Sequence, residues 1–418
     1  MSGEIRPVAV TGIGIASPLG LSPDEHWAGV LAGTRAVQPL AFDALEGDIP
    51  RPSGWDHWAG ARLAGRSIRS MPHWFLSGLS GVLAGEACRR AGLGDLPPSV
   101  LGRTGIAFGT SKPVLTPWFE PPFVDWEGHL DDWDEEQRAI VYRLSGPAEE
   151  IARRRGFQGP AVAPSAACAT GLVSIIRGAE LIRDGACDLV VAGSADSSLH
   201  PAYLAAYRRM GVLAPASDDP AFSCRPFDAR RSGFAVGEGA AALILEDIDR
   251  ARDRGATILA EILGAGLTSD NDSLVEVDPT GQSLARALHD ALRRSGVRPQ
   301  EIDAASLHGT GTRLNDLCET NALKAALGEH ARRVSCFSLK GSIGHLMGAA
   351  GSVETATLIQ AMQHGIVPPT VNLEQPDPDC DLDYTPGQAR TRSIDMAVKL
   401  SLGFGGTCAA LVIRRPVN

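Results

Sequence analysis

Residues 161–184 read AVAPSAACATGLVSIIRGAELIRD, and the reading of the fold starts there. Ala161 to Ala163 form a short apolar run of strand type, Pro164 to Ala167 a turn of small residues, and Ala169 onward a helix. Leu172, Ile175, Ile176, Ala179 and Ile182 recur at the three- and four-residue spacing of one buried helix face. Between strand and helix stands Cys168. Peptide dipoles at a helix N-terminus favour an anion, so a lowered thiol pKa and a reactive thiolate are expected. Small neighbours leave room for a substrate carbonyl beside the sulfur and its adjoining N–H groups. The competing reading is a buried structural thiol, because free cysteine is among the most buried residue types.

The chain around this stretch has 418 residues, enough for two or three units at roughly 150 residues each. With 44% hydrophobic and 21% charged residues it has an ordinary globular composition. A net charge of −10 argues against a general basic surface for nucleic acid. Eight cysteines are scattered with no C-x-x-C pair, which leaves zinc-ribbon and thioredoxin-type readings without support and suits a reducing compartment. The N-terminal stretch lacks a signal peptide's charged start and long apolar region, and no window of about 20 residues is free of charge and turn signals. A cytoplasmic protein without a membrane span, metal or cofactor is expected.

Val8 to Thr11 opens the chain as a strand and runs into Gly12-Ile13-Gly14-Ile15-Ala16-Ser17. This resembles a dinucleotide-binding glycine turn, but Ser17 holds the third glycine position and no acidic-ended strand follows. Thr104 to Phe108, Leu189 to Ala192 and Ala240 to Leu245 are further buried-type strands, with a helix over Pro72 to Ala91. Such alternation predicts an α/β protein with a parallel or mixed sheet covered on both faces. The charged linker Asp247 to Gly255 marks a boundary between 1–252 and 253–418. The second part repeats the first. Ile258 to Leu263, Ala304 to Leu307 and Cys336 to Leu339 read as strands, and Ser283 to Ser295 and Leu346 to His364 as helices. Ser111 to Glu136, with three tryptophans and four prolines, reads as a long packed loop. Arg62, Arg66 and Arg69 share a helical spacing and form a candidate anion-docking set, the alternative being a solvated face.

Cys168, His308 and His345, with Lys340 five residues before the last, all fall at ends of predicted strands in glycine-rich surroundings. A single histidine is more often structural. Complementary groups gathered at strand ends are where α/β proteins collect ligands.

On these residues the chain resembles the β-ketoacyl-[acyl-carrier-protein] synthases, the elongating group with a Cys-His-His site. The carrying motifs are SAACATG around Cys168, RPFDARRSGFAVGEGAAALILE at 225–246 and HGTGTRLNDLCE from His308. They continue with LKGSIGHLMGAAGSVE from 339, VPPTVNLEQPDPDCDLDY from 367 and GFGGTCAALVI from 403. The resemblance implies the thiolase fold, two duplicated halves in a five-layered αβαβα body, with Cys168 in the first half and His308, Lys340 and His345 in the second. It implies acyl transfer to Cys168, then decarboxylative Claisen condensation with malonyl-carrier protein in fatty-acid or polyketide synthesis. It places the oxyanion hole at the backbone N–H groups of Cys168 and Phe404, with Phe404 as gating aromatic. His308 and His345 become neutral donors to an enolate, Lys340 an orienting charge, and Glu354 either a member of that network or a structural helix carboxylate. Acyl-carrier protein is the implied partner, docked at Arg66 and Arg69 or at Arg208 and Arg209. The assembly is a homodimer or a heterodimer with a related subunit. Alternatives are the catalytic subunit of a type II polyketide heterodimer, a non-catalytic partner like a chain-length factor, and a thiolase.

The chain departs from the family pattern in two places. Leu400-Ser401-Leu402-Gly403-Phe404-Gly405-Gly406-Thr407-Cys408 lacks two asparagines the family commonly carries, which puts loop mobility in question. The glycine-rich turn after the Thr104 strand is replaced by Ser111-Lys112-Pro113, which implies an altered acyl-chain preference.

Overall fold

In the computed structural model, residues 7–40, 58–64, 75–94, 96–112, 143–215 and 219–416 are described. Five strands of the first part are β1 (Val8–Ala16), β2 (Thr104–Gly109), β3 (Ala161–Val162), β4 (Leu189–Ser197) and β5 (Val236–Asp247). Five of the second are β6 (Ala260–Ser269), β7 (Ala304–Ser306), β8 (Ser335–Phe337), β9 (Met396–Gly403) and β10 (Thr407–Arg414). The spatial order is β8-β7-β9-β10-β6-β1-β5-β4-β2-β3. In each half the first strand pairs antiparallel with the fifth and the fifth antiparallel with the fourth. The fourth then pairs parallel with the second, and the second parallel with the third. The repeat read in the sequence is therefore a duplication of topology. The halves join where Val8, Ala9 and Val10 pair antiparallel with Ile262, Glu261 and Ala260.

Helices fill three layers around the two half-sheets. Helix α1 (Phe75–Arg90) and α2 (Gly146–Arg155) share one core with β1, β2, β4 and β5. Helices α3 (Thr170–Arg183) and α4 (Pro201–Arg209) follow in the chain, then α5 (Gln282–Ser295), α6 (Arg313–Leu327) and α7 (Ala350–His364). Helices α5 and α6 cover the far face of the second half-sheet. Between the half-sheets, α3 and α7 bury Leu172, Ile175, Ile176, Val353, Ala356 and Ile359 in one central core. The order helix, sheet, helix, sheet, helix is the expected αβαβα body of the thiolase fold. Each large apolar side chain buried there contributes roughly 1.5–3 kcal/mol relative to exposure.

The apolar stripe of α3 is buried as its spacing predicts: Leu172, Ile175, Ile176, Ala179 and Ile182 are 2% exposed or less. Glycines let α3 and α7 meet backbone to backbone. A Cβ on Gly171 would lie 2.5 Å from the Ser352 nitrogen, and one on Gly351 would lie 2.4 Å from the Leu172 nitrogen.

Two local readings change. The opening strand does not stop at Thr11 but runs to Ala16, so Gly12 and Gly14 lie inside the nine-residue strand β1, in keeping with the weak match to a nucleotide turn. Added Cβ atoms there would lie 2.1 Å from the Ala87 carbonyl oxygen and 2.5 Å from that of Leu83, so these glycines admit α1 against the strand. The charged linker is largely helical over Ile248–Asp253, capped by the Asp247 carboxylate on the N–H groups of Asp249 and Arg250. Arg66, Arg69, the helix start at Pro72 and the aromatic loop beyond Lys112 lie outside the described residues. Among the described residues no helix is long and apolar enough to cross a membrane.

Candidate active site

Cys168 sits in a single 3-10 turn, Ala167–Ala169, ahead of α3. Ala167 is forced into the left-handed region at φ 47°, a conformation that costs a residue with a Cβ about 1 kcal/mol or more. Thr170 braces the turn: its Oγ1 donates to the Ala167 carbonyl at 2.7 Å and accepts from the Ala166 N–H at 2.9 Å. The end of β9 presses on the same turn, since a Cβ on Gly403 would lie 2.4 Å from the Ala166 carbonyl oxygen. This contact presents the Phe404 N–H to the Cys168 sulfur. Gly406 holds the loop at φ 87°, where a Cβ would lie 1.6 Å from the Asp270 carbonyl oxygen.

Contrary to the expectation from the helix N-terminus, the free Cys168 is a thiol. Burial pushes it up to about 11, while Lys112, Lys340 and the Phe404 N–H pull it down. Desolvation of the 6% exposed Cys168 outweighs the helix dipole.

The second half supplies the histidines. His308 follows β7, and its turn is held by Glu319, whose carboxylate accepts the N–H groups of His308 and Gly309 at 2.6 Å each. Burial raises Glu319 to about 7, against those same N–H donors. Lys340 Nζ donates to the His308 carbonyl, stands 3.5 Å from His308 Nδ1, and pairs with Glu354 at 2.6 Å. His345 takes the Met347 N–H on Nδ1 at 3.2 Å. Both rings thus receive a donor on Nδ1, which assigns the remaining proton of each neutral imidazole to Nε2. The rings lie edge to face at 5.1 Å, and Phe234 packs on His345 at 5.0 Å. Burial, then the Lys340 charge, holds both histidines well below their ordinary range. Both are therefore neutral, buried imidazoles.

Cys168, Phe234, Met347 and Phe404 pack into one cluster, so the Cys168 turn and the turn after His345 meet. Glu354 is part of the charge network as well as of α7: one oxygen meets Lys340 and the other meets Lys399 at 2.8 Å. Arg208 and Arg209 end α4 on the exposed side, with the Arg208 guanidinium 3.7 Å over the Trp58 ring. The inner side of α4 sends Tyr207 against Phe234, ring centroids 6.1 Å apart.

Two lysines escaped the sequence reading as site residues. Lys112 Nζ bonds Asp196 at 3.1 Å, Ser198 Oγ at 2.8 Å and Ser111 Oγ at 2.5 Å. Burial works against its charge, but the Asp196 carboxylate holds it above the ordinary lysine range. Asp196 also accepts the Gly348 N–H at 3.2 Å, which ties Lys112 to the turn after His345. Lys399 stood in a strand whose pattern marks only burial. The signal for it was a lysine alternating with apolar residues in MAVKLSL.

Sequence models of the family match both halves: the β-ketoacyl synthase N-terminal domain over residues 86–251 and the C-terminal domain over 259–374. The chain belongs to the β-ketoacyl synthase family. It is a condensing acyltransferase by that membership. The oxytetracycline polyketide putative β-ketoacyl synthase 1 of Streptomyces rimosus is 36% identical over 99% of this chain and 98% of its own. The 3-oxoacyl-[acyl-carrier-protein] synthase 2 of Coxiella burnetii is 32% identical over 99% of each. A ketosynthase solved in complex with its type II polyketide acyl-carrier protein and bound to the hexaketide superposes with a TM-score of 0.87. It shares 28% identity and covers 99% of this chain and 100% of that one.

Proposed function

We propose that this ketosynthase elongates an acyl chain carried on Cys168, with acyl- and malonyl-carrier proteins as substrates. The carrying observation is a buried cysteine beside two neutral Nε2–H donors in one site. In the first half-reaction the Cys168 sulfur attacks the thioester carbonyl. The N–H groups of Cys168 and Phe404 hold the oxyanion, each such donor being worth roughly 3 kcal/mol. The proton of Cys168 ends on the departing carrier thiol. In the second half-reaction malonyl-carrier protein loses CO2, and the enolate oxygen accepts from His308 and His345. The enolate carbon then attacks the Cys168 thioester, forming the carbon–carbon bond and releasing the thiolate. Low basicity matters here, because a protonated imidazolium would quench the carbanion.

The residues of the first part, 1–252, carry the nucleophile and those of 253–418 the donors. Eight buried free cysteines accord with a reducing, cytoplasmic setting. Acidic carrier protein docks through basic residues, Arg66 and Arg69 or the exposed end of α4 at Arg208 and Arg209. Charge reversal at a docking pair raises KM for carrier-bound substrate and not for a small thioester. The assembly is a dimer, either of two copies or with a related subunit in a type II polyketide system. Co-purification with such a subunit distinguishes the two. The chain-length-factor reading is disfavoured by Cys168, and the thiolase reading by His345, since Cys408 pairs in β10 away from the histidine turn.

The test is a two-stage incubation, first with acyl-carrier protein and then with malonyl-carrier protein. Mass spectrometry is expected to find acyl-Cys168, then a 3-oxoacyl product with CO2. A His308→Ala variant that loads Cys168 yet fails to condense supports the roles given; one that still condenses normally overturns them. Saturated chains loading best would overturn the altered acyl preference.

A further inference from the structure

Two buried lysines, rather than one, hold Glu354. Along β9 the side chains of Val398, Leu400 and Leu402 enter the outer core, while Lys399 points the other way at 0% exposure. Its Nζ meets Glu354 Oε2 at 2.8 Å, the Leu400 carbonyl at 2.5 Å and the carbonyls of Ser306 and Leu307 at 3.4 Å. Those last two carbonyls close strand β7 immediately before His308. Lys340 holds the opposite oxygen of Glu354 and the His308 carbonyl, with Nδ1 at 3.5 Å. The two ammoniums therefore grip one carboxylate from both sides, and both bond the backbone that presents the ring.

Packing alone does not call for this. A buried charge costs several kcal/mol in desolvation, and an apolar residue of similar volume is often as stable or more so. One lysine already neutralises Glu354. We propose that Lys399 is a positioning residue for the condensation step: through Glu354 and the Ser306 and Leu307 carbonyls it fixes Lys340 against Nδ1 of His308 and so aims the Nε2–H at the enolate.

The charged and titratable groups around it are Glu354 and Lys340, the histidines His308 and His345, and Glu319 from α6. Its positive charge acts on both histidines in the same direction as that of Lys340, lowering their basicity. Removing it therefore raises the basicity of both rings.

This inference rests on the condensing role given to His308, and its test is a Lys399→Met variant with the two half-reactions measured apart. Acyl loading on Cys168 is expected to stay within about twofold of wild type, while condensation falls roughly tenfold or more. The acid limb of the condensation pH profile moves to higher pH, and that of loading does not. In a Glu354→Gln background the same substitution is expected to cost condensation several-fold less than in the wild type, since the two residues are coupled, the remainder coming from the Ser306 and Leu307 carbonyls and the charge itself. Parallel loss of both half-reactions, a fixed acid limb, or full additivity with Glu354→Gln would each overturn the proposal. Should the methionine variant not fold, 15N-histidine NMR of the wild type decides: His308 must remain an Nε2–H neutral ring at pH 6. A wild type that never loads Cys168 would instead sink the functional reading itself.

Discussion

Met347 donates its backbone N–H to Nδ1 of His345 at 3.2 Å. The bond occupies one ring nitrogen and leaves the other as the sole N–H of a neutral imidazole. A glutamine amide reaches to the position of Nε2, whereas an asparagine amide reaches only to that of Nδ1. His345→Gln is therefore expected to retain at least about tenfold more condensation than His345→Asn. Equal or reversed activities in a malonyl-dependent product assay would remove the tautomer from the mechanism.

The Lys112 ammonium acts through space on the Cys168 thiol. Lys112→Met removes a cation that pulls Cys168 down and leaves the 1% exposed Asp196 without it. The thiol should become harder to ionise, so iodoacetamide alkylation of Cys168 near pH 8 is expected to slow roughly three- to tenfold. An unchanged alkylation rate would show that the pair is electrically silent at the sulfur.

Gly406 tests the oxyanion role proposed for the Phe404 loop. Gly406→Ala places a Cβ against the Asp270 carbonyl at a backbone angle an alanine resists, and the loop must shift. Displacing the Phe404 N–H is expected to lower kcat by roughly 10²–10³ for acyl transfer as well as condensation. Loss confined to condensation would place the oxyanion donor elsewhere.

His26 is a third buried neutral histidine, remote from catalysis and useful for that reason. Its ring bonds Ser17 Oγ at 2.7 Å and Thr357 Oγ1 at 2.8 Å, and burial lowers it to about 4. Native protein thus binds fewer protons than the unfolded chain between about pH 6.5 and pH 4. Stability from this group is complete above that window and is lost as pH falls through it. Between pH 7 and pH 5 the wild type is expected to lose about 2 kcal/mol more than a His26→Gln variant in urea unfolding. Identical pH slopes would mean the ring charges freely in the native state.

Much of this was legible in the residues, for physical reasons that differ from case to case. The stripe from Leu172 to Ile182 could be read because a helix repeats its buried face at a fixed spacing. The candidate Cys-His-His set stood out through its motifs rather than its local structure: Cys168 lies in a 3-10 turn between alanines, His308 follows β7, and His345 follows a helical turn at Lys340–Ile343 instead of a strand. The pKa of Cys168 was misread because the dipole of α3 is visible in sequence and the depth of burial is not. Gly12 and Gly14 look alike whether glycine makes room for a phosphate or for the backbone of α1. Lys112, Asp196 and Lys399 were opaque for another reason. Their meaning lies in partners 84 and 85 residues away, or across from β9 to α7, and no local pattern records such pairings.

Ala167 at φ 47° has a counterpart in the other half, Met347 at φ 49°, each opening a 3-10 turn before a central helix. The residue that follows is Cys168 in one turn and Gly348 in the other. At Gly348 a side chain would strike Asp196 Oδ2 at 2.7 Å and Ser111 Cβ at 2.8 Å. The chain thus carries two seats of the same shape and lets only one be occupied. A second thiol cannot be introduced at the mirror position without evicting the Ser111–Asp196 pair.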